Sequence, residues 1–84
     1  MPSRHLRTLA EVFEDPVRAN ILWSDIEALF RYLGASVTSG AGSRVKIELN
    51  GADAVFHRPH LRKEARRRTI RDVRLFLGSA GVRP

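Results

Sequence analysis

The pair Asn50-Gly51 constrains this chain more than any other feature. Both residues tolerate positive φ, which the tight two-residue turn of a β-hairpin demands, and the pair is the strongest short hairpin signal. Before it, Val45, Ile47 and Leu49 alternate with Arg44, Lys46 and Glu48, the two-residue period of a strand with one apolar and one polar face. After it, Ala52 to His57 form the returning strand, which Pro59 stops because proline has no N–H to give a ladder. A two-residue turn fixes the register. Leu49 faces Ala52, Ile47 faces Ala54 and Val45 faces Phe56 on the buried side. On the other face Lys46 meets Val55, Arg44 meets His57, and Glu48 meets Asp53, a like-charge pairing whose cost is small near a solvated turn.

Helical periods surround this hairpin. Leu6, Leu9, Ala10 and Phe13 recur at i, i+3, i+4 and i+7 and predict a helix ending before Asp15-Pro16. After an irregular connection through Asn20, Ser24-Asp25-Ile26-Glu27 has capping-box spacing and opens a second helix. Its apolar stripe is Ile26, Leu29, Phe30 and Leu33, and Gly34 closes it. Trp23, Phe30 and Tyr32 read as core or core-edge packing. Val37 belongs to an earlier strand, joined to the hairpin through Ser39-Gly40-Ala41-Gly42-Ser43. Ile70, Val73, Phe76, Leu77 and Ala80 mark a last helix, with Thr69 as its cap, Asp72 in its first turn and Gly81 at its end. The order helix, helix, three strands, helix is that of an α+β domain, with no repeat and no low-complexity segment.

Charge is concentrated in one stretch. Between His57 and Arg74, eight cations (Arg58, Arg62, Lys63, Arg66, Arg67, Arg68, Arg71 and Arg74) stand against Glu64 and Asp72, a surplus of six that equals the net charge of the whole chain, +6. Thirteen of the fifteen cations are arginine, which suits planar, bidentate phosphate contact better than lysine, although an arginine-rich genome gives the same bias. RNA, DNA, an anionic membrane, an acidic partner or plain solvation all suit such a run. Arg67, Arg71 and Arg74, at i, i+4 and i+7, predict a cationic stripe facing away from the core. With 84 residues there is room for one small core but not for a deep substrate cavity, which favours recognition of a large substrate on an open face. The chain has no cysteine, a polar start (Met1-Pro2-Ser3-Arg4-His5) and no apolar run near the roughly 20 residues of a membrane span. A soluble, cytoplasmic protein is expected, with no membrane association. His57 and His60 as a metal pair lack further ligands, so no metal or other cofactor is expected.

A helix ending in Leu33-Gly34, the Gly42-Ser43 turn opening a hairpin, the Pro59-His60 ending of the third strand, Lys63-Glu64, and a Thr69-started helix closing in Ala80-Gly81 together resemble the HicA family of toxins. The resemblance covers about residues 23 to 82 and rests on the order and spacing of short motifs. It implies a fold related to double-stranded RNA-binding domains (dsRBD-like), with two helices on one face of a three-stranded antiparallel sheet. Residues 1–22 are then an N-terminal helical extension to a HicA-like domain at 23–84. The resemblance also implies the toxin of a type II toxin-antitoxin system, an mRNA interferase that a HicB-like antitoxin inhibits by direct binding. One position departs from the family. After the Gly-Ser turn, where the family places its catalytic histidine, this chain has Arg44.

The hairpin register offers a substitute, because Arg44 and His57 are cross-strand neighbours on the open face. The expected catalytic set is His57 as base toward a ribose 2′-hydroxyl, Arg44 as stabiliser of the developing phosphorane, and His60 as a second proton carrier. The expected RNA-binding set is Ser43, Lys46, Arg58, Arg62, Lys63, Arg66, Arg67, Arg68, Arg71 and Arg74, acting by shape and charge with weak sequence preference. The leading reading is a metal-independent endoribonuclease. The alternatives are an RNA-binding domain inactive without the family histidine, and a protein-interaction module docking an acidic partner.

Overall fold

The computed structural model describes residues 3–84, so Met1 and Pro2, which begin the polar amino terminus, lie outside the described residues. The chain runs α1 (Arg4–Val12), α2 (Trp23–Tyr32), β1 (Ser36–Ser39), β2 (Arg44–Leu49), β3 (Ala52–His57) and α3 (Arg67–Ser79). The strands form one antiparallel sheet in the order β1-β2-β3. α2 rests on β1 and α3 on β3, while α1 lies against α2 and α3. This is an α+β, dsRBD-like arrangement with an extra N-terminal helix. Among the described residues no helix is long and apolar enough to cross a membrane.

The hairpin has the register its turn requires, from Leu49 opposite Ala52 to Arg44 opposite His57. Asn50 and Gly51 both adopt positive φ, 51° and 84°, the turn whose twist matches that of the strands it joins. Val45, Ile47 and Leu49 are buried and Arg44, Lys46 and Glu48 exposed. On β3 the buried side carries Ala52, Ala54 and Phe56, and Asp53, Val55 and His57 are exposed. The Asn50 amide donates to the Ala80 carbonyl at 3.0 Å, which fastens the hairpin tip to the end of α3.

Beneath the sheet, Phe30, Phe56 and Phe76 form a triangle with ring centroids 5.8, 5.8 and 6.0 Å apart, and Trp23 lies 6.0 Å from Phe56. Ile26, Leu29, Val45, Ile47, Ile70, Val73 and Leu77 are fully buried around it, as is Val12 of α1, each contributing roughly 1.5–3 kcal/mol by leaving water. Leu9, Val12 and Ile21 belong to the same cluster, so the N-terminal segment shares this core.

The helix starts differ from the sequence expectation. Leu22, not Ser24, occupies the cap position of α2, and Ser24 lies exposed inside the helix. The cause is long-range. Residues 21–23 pair with 63–65, Ala65 N–H donating to the Ile21 carbonyl at 2.8 Å and Trp23 N–H to the Lys63 carbonyl at 2.9 Å. The first orphan donor of α2 is therefore satisfied by another segment. The same pairing precedes α3, which starts at Arg67 after Arg66, leaving Thr69 within the first turn and Asp72 beyond it. Gly34, at φ 90°, does close α2, with Ala35 N–H reaching the Phe30 carbonyl at 3.0 Å. Tyr32 is no core residue: it is 52% exposed and stacks on His5 with centroids 4.6 Å apart.

Candidate nucleic-acid interface

The face of the sheet away from α2 and α3 is open, and the register arranges it in rows. Thr38, Lys46 and Val55 lie side by side, with Arg44 and His57 in the next row. Arg58 N–H donates to the Ser43 carbonyl at 2.8 Å, so Ser43 and Arg58 are a hydrogen-bonded pair and Arg44 and His57 the adjoining non-hydrogen-bonded one. Side chains approach closest in such a pair, with Cβ atoms roughly 4.5–5.5 Å apart. A groove of about 330 Å³ adjoins this pair, lined by Thr38, Ser39, Gly40, Ala41, Arg44, Lys46 and Val55. Two cations, Arg44 and Lys46, and the Thr38 hydroxyl around a shallow concavity suit an anionic group. His60 is exposed in the loop after β3, and no hydrogen bond among the described residues joins it to Arg44 or His57.

Behind the sheet sits a polar cluster that the capping-box reading of Glu27 missed. Instead of reaching back to its own helix start, the Glu27 carboxylate is buried and accepts from Arg58 Nε at 2.6 Å and Nη2 at 3.2 Å, from Arg31 Nη1 at 3.5 Å, and from Trp23 Nε1. Arg58 Nη1 also donates to Ser39 Oγ at 3.1 Å. Burial alone would push the Glu27 carboxyl up, but the hydrogen bonds from Arg58 and Trp23 and the charges of Arg58 and Arg31 outweigh it and hold it below the usual carboxylate range. The same hydrogen bond to Glu27 raises Arg58 above its ordinary value. A signal for this pairing was present. Carrying the strand alternation one residue past His57 turns Arg58 toward the helices, where Glu27 adjoins the apolar positions Ile26 and Phe30.

The basic segment divides into committed and uncommitted cations. Arg74, expected on an outward stripe, is only partly exposed: its Nε donates to the Val12 carbonyl at 3.1 Å, its Nη2 to the Glu14 carbonyl, and its guanidinium lies 5.9 Å from the Phe13 ring centroid. Arg58 is held by Glu27. Arg62, Lys63, Arg66, Arg67, Arg68 and Arg71 are exposed and form no ion pair among the described residues. Arg66, Arg67 and Arg68 crowd the start of α3, whose first turn has no acidic residue. The helix dipole is positive there, so cations cost stability, about 0.3–1 kcal/mol each. Ser43 is half-buried at the turn into β2. Among the described residues no three His, Asp or Glu side chains group as ligands for a metal ion.

Residues 23–82 match the model of the family described as HicA toxin of bacterial toxin-antitoxin. No curated protein and no solved structure matches the chain significantly.

Proposed function

The chain belongs to the HicA family of toxins, and from that premise we propose that it binds messenger RNA across the open face of its sheet and cleaves it in the cytoplasm, restrained by a HicB-like antitoxin. The observation that carries this reading is the cross-strand pair of Arg44 and His57 beside a groove bearing Lys46. His57 accepts the ribose 2′-hydroxyl proton as the 2′-oxygen attacks phosphorus. Arg44 stabilises the charge gathering on the phosphorane oxygens. The phosphorus–5′-oxygen bond then breaks, giving a 2′,3′-cyclic phosphate, and His60 returns a proton to the departing 5′-oxygen. An imidazole ring can take up a proton at one nitrogen and give one up, which suits both directions of transfer. Lys46, Arg62, Lys63, Arg66, Arg67, Arg68 and Arg71, with Ser43 at the turn, hold the phosphate chain by charge.

The test is incubation of the pure protein with labelled RNA, with and without chelator. Cleavage that resists chelation and disappears in His57→Ala supports the reading, and undiminished cleavage by that variant removes His57 from the mechanism. Because Arg44 stands where the family pattern has its histidine, a second reading is an RNA-binding domain without catalysis. Salt-sensitive RNA binding with no cleavage by the parent protein selects it. Absence of salt-dependent binding selects a module that docks an acidic protein instead.

A further inference from the structure

Arg58 joins three segments of the chain. Its Nε and Nη2 fork onto the Glu27 carboxylate of α2, its Nη1 donates to Ser39 Oγ at 3.1 Å, and its backbone N–H donates to the Ser43 carbonyl at 2.8 Å. Ser39 and Ser43 bracket Gly40-Ala41-Gly42, the connection that leads into Arg44. That connection is also tied to the strand itself, Gly40 N–H donating to the Arg44 carbonyl at 2.8 Å. Arg58 directly follows His57 in the chain, so one side chain touches the supports of both members of the open-face pair. Its three guanidinium nitrogens all have partners within the chain. A fork on two carboxylate oxygens fixes direction as well as distance, which an apolar contact of the same size does not.

We infer that Glu27 and Arg58 are positioning residues for the reaction on the other side of the sheet: Glu27 holds Arg58 against α2, and Arg58 thereby sets the 39–43 connection and the end of β3, fixing Arg44 relative to His57. The inference rests on the RNA-cleavage reading above. It gives the buried carboxylate a task besides stability, which apolar packing of similar volume often supplies as well as a buried ion pair does. Glu27 stays ionised at neutral pH because its hydrogen-bond donors hold it low, so the strut is intact where the toxin would work.

Glu27→Gln decides the matter, because it keeps the side-chain shape, lies behind the sheet and removes a negative charge that a phosphate contact would be better without. Affinity is read with a fully 2′-O-methylated RNA, which cannot be cleaved, and the rate with ordinary RNA at saturation in single turnover. Glu27→Gln is expected to bind as tightly as the parent while its saturated cleavage rate falls about 10- to 100-fold. Arg58→Lys, which keeps the charge and loses the fork, is expected to behave alike and serves as the second variant if Glu27→Gln does not fold. Val73→Ala lowers stability in the core under α3 and should leave the saturated rate unchanged. Parental rates in both Glu27→Gln and Arg58→Lys overturn the inference. If the parent protein cleaves no RNA, the cleavage reading fails separately, and amide exchange decides the positioning claim. Faster exchange at Arg44 and Arg58 in Glu27→Gln than in Val73→Ala at matched stability supports it, and equal protection overturns it.

Discussion

At the scale of single residues, Glu27 couples stability to acid. Its carboxyl is held below the ordinary 4.5, so the contribution of its ionised form is complete above that value and is lost as pH falls through the lower folded one. Urea denaturation at pH 7 and again at about pH 2.5 should therefore show the parent losing more stability than Glu27→Gln, whose neutral amide has no proton to take up. Trp23 is the only tryptophan and donates to that carboxylate, so its fluorescence reports the transition directly. Glu27→Ala should cost about 1–3 kcal/mol at pH 7, because it strands the indole N–H in a buried place. The sequence identified the carboxylate but not its partner. Ser24 and Glu27 have capping-box spacing, and a local rule assigns them to each other. The structure instead gives Glu27 an arginine 31 residues away.

At the scale of elements, α1 illustrates a helix that exists by attachment. Nine residues are too few to hold helical structure alone. Ser3 caps its start by accepting from Leu6 N–H at 3.1 Å, Leu9 and Val12 are buried in the common core, and Arg74 of α3 covers the carbonyls at its far end. Arg74→Ala should lower stability by about 1–2 kcal/mol and speed amide exchange across α1 while leaving RNA affinity unchanged. Arg71→Ala, three residues earlier and without an ion pair among the described residues, should leave stability and exchange across α1 unchanged and weaken RNA binding instead. Nothing in the i, i+4, i+7 spacing of Arg67, Arg71 and Arg74 separates these cases. The separation comes from the N-terminal segment lying against α3 at one point of the stripe.

At the scale of the whole molecule, the sheet has one face occupied by helices and one face free, with the uncommitted cations on the loop after β3 and the start of α3. If these hold RNA, the logarithm of affinity falls linearly with the logarithm of salt concentration, by about 0.7 per phosphate neutralised on a single strand. Titration of Arg66→Gln, Arg67→Gln, Arg68→Gln and Arg71→Gln against potassium chloride should each reduce that slope by about 0.7, and unchanged slopes would remove the basic segment from the RNA surface. The sequence by itself determined the hairpin, all its cross-strand pairs and the closing of α2 at Gly34, because these follow from sterics within a few residues: the turn admits few conformations, and a period of two leaves one register that buries Val45, Ile47 and Leu49. It also carried the family, through motifs spread over residues 23–82. The tertiary structure alone decided where α2 and α3 begin and which arginines are taken up by contacts among the described residues, and it settled Glu27 on Arg58 rather than on its own helix start. Those outcomes depend on contacts between segments far apart in the chain, such as Ile21 with Ala65 and Val12 with Arg74, whose meeting is set by how the whole core closes and not by any local preference of the residues involved.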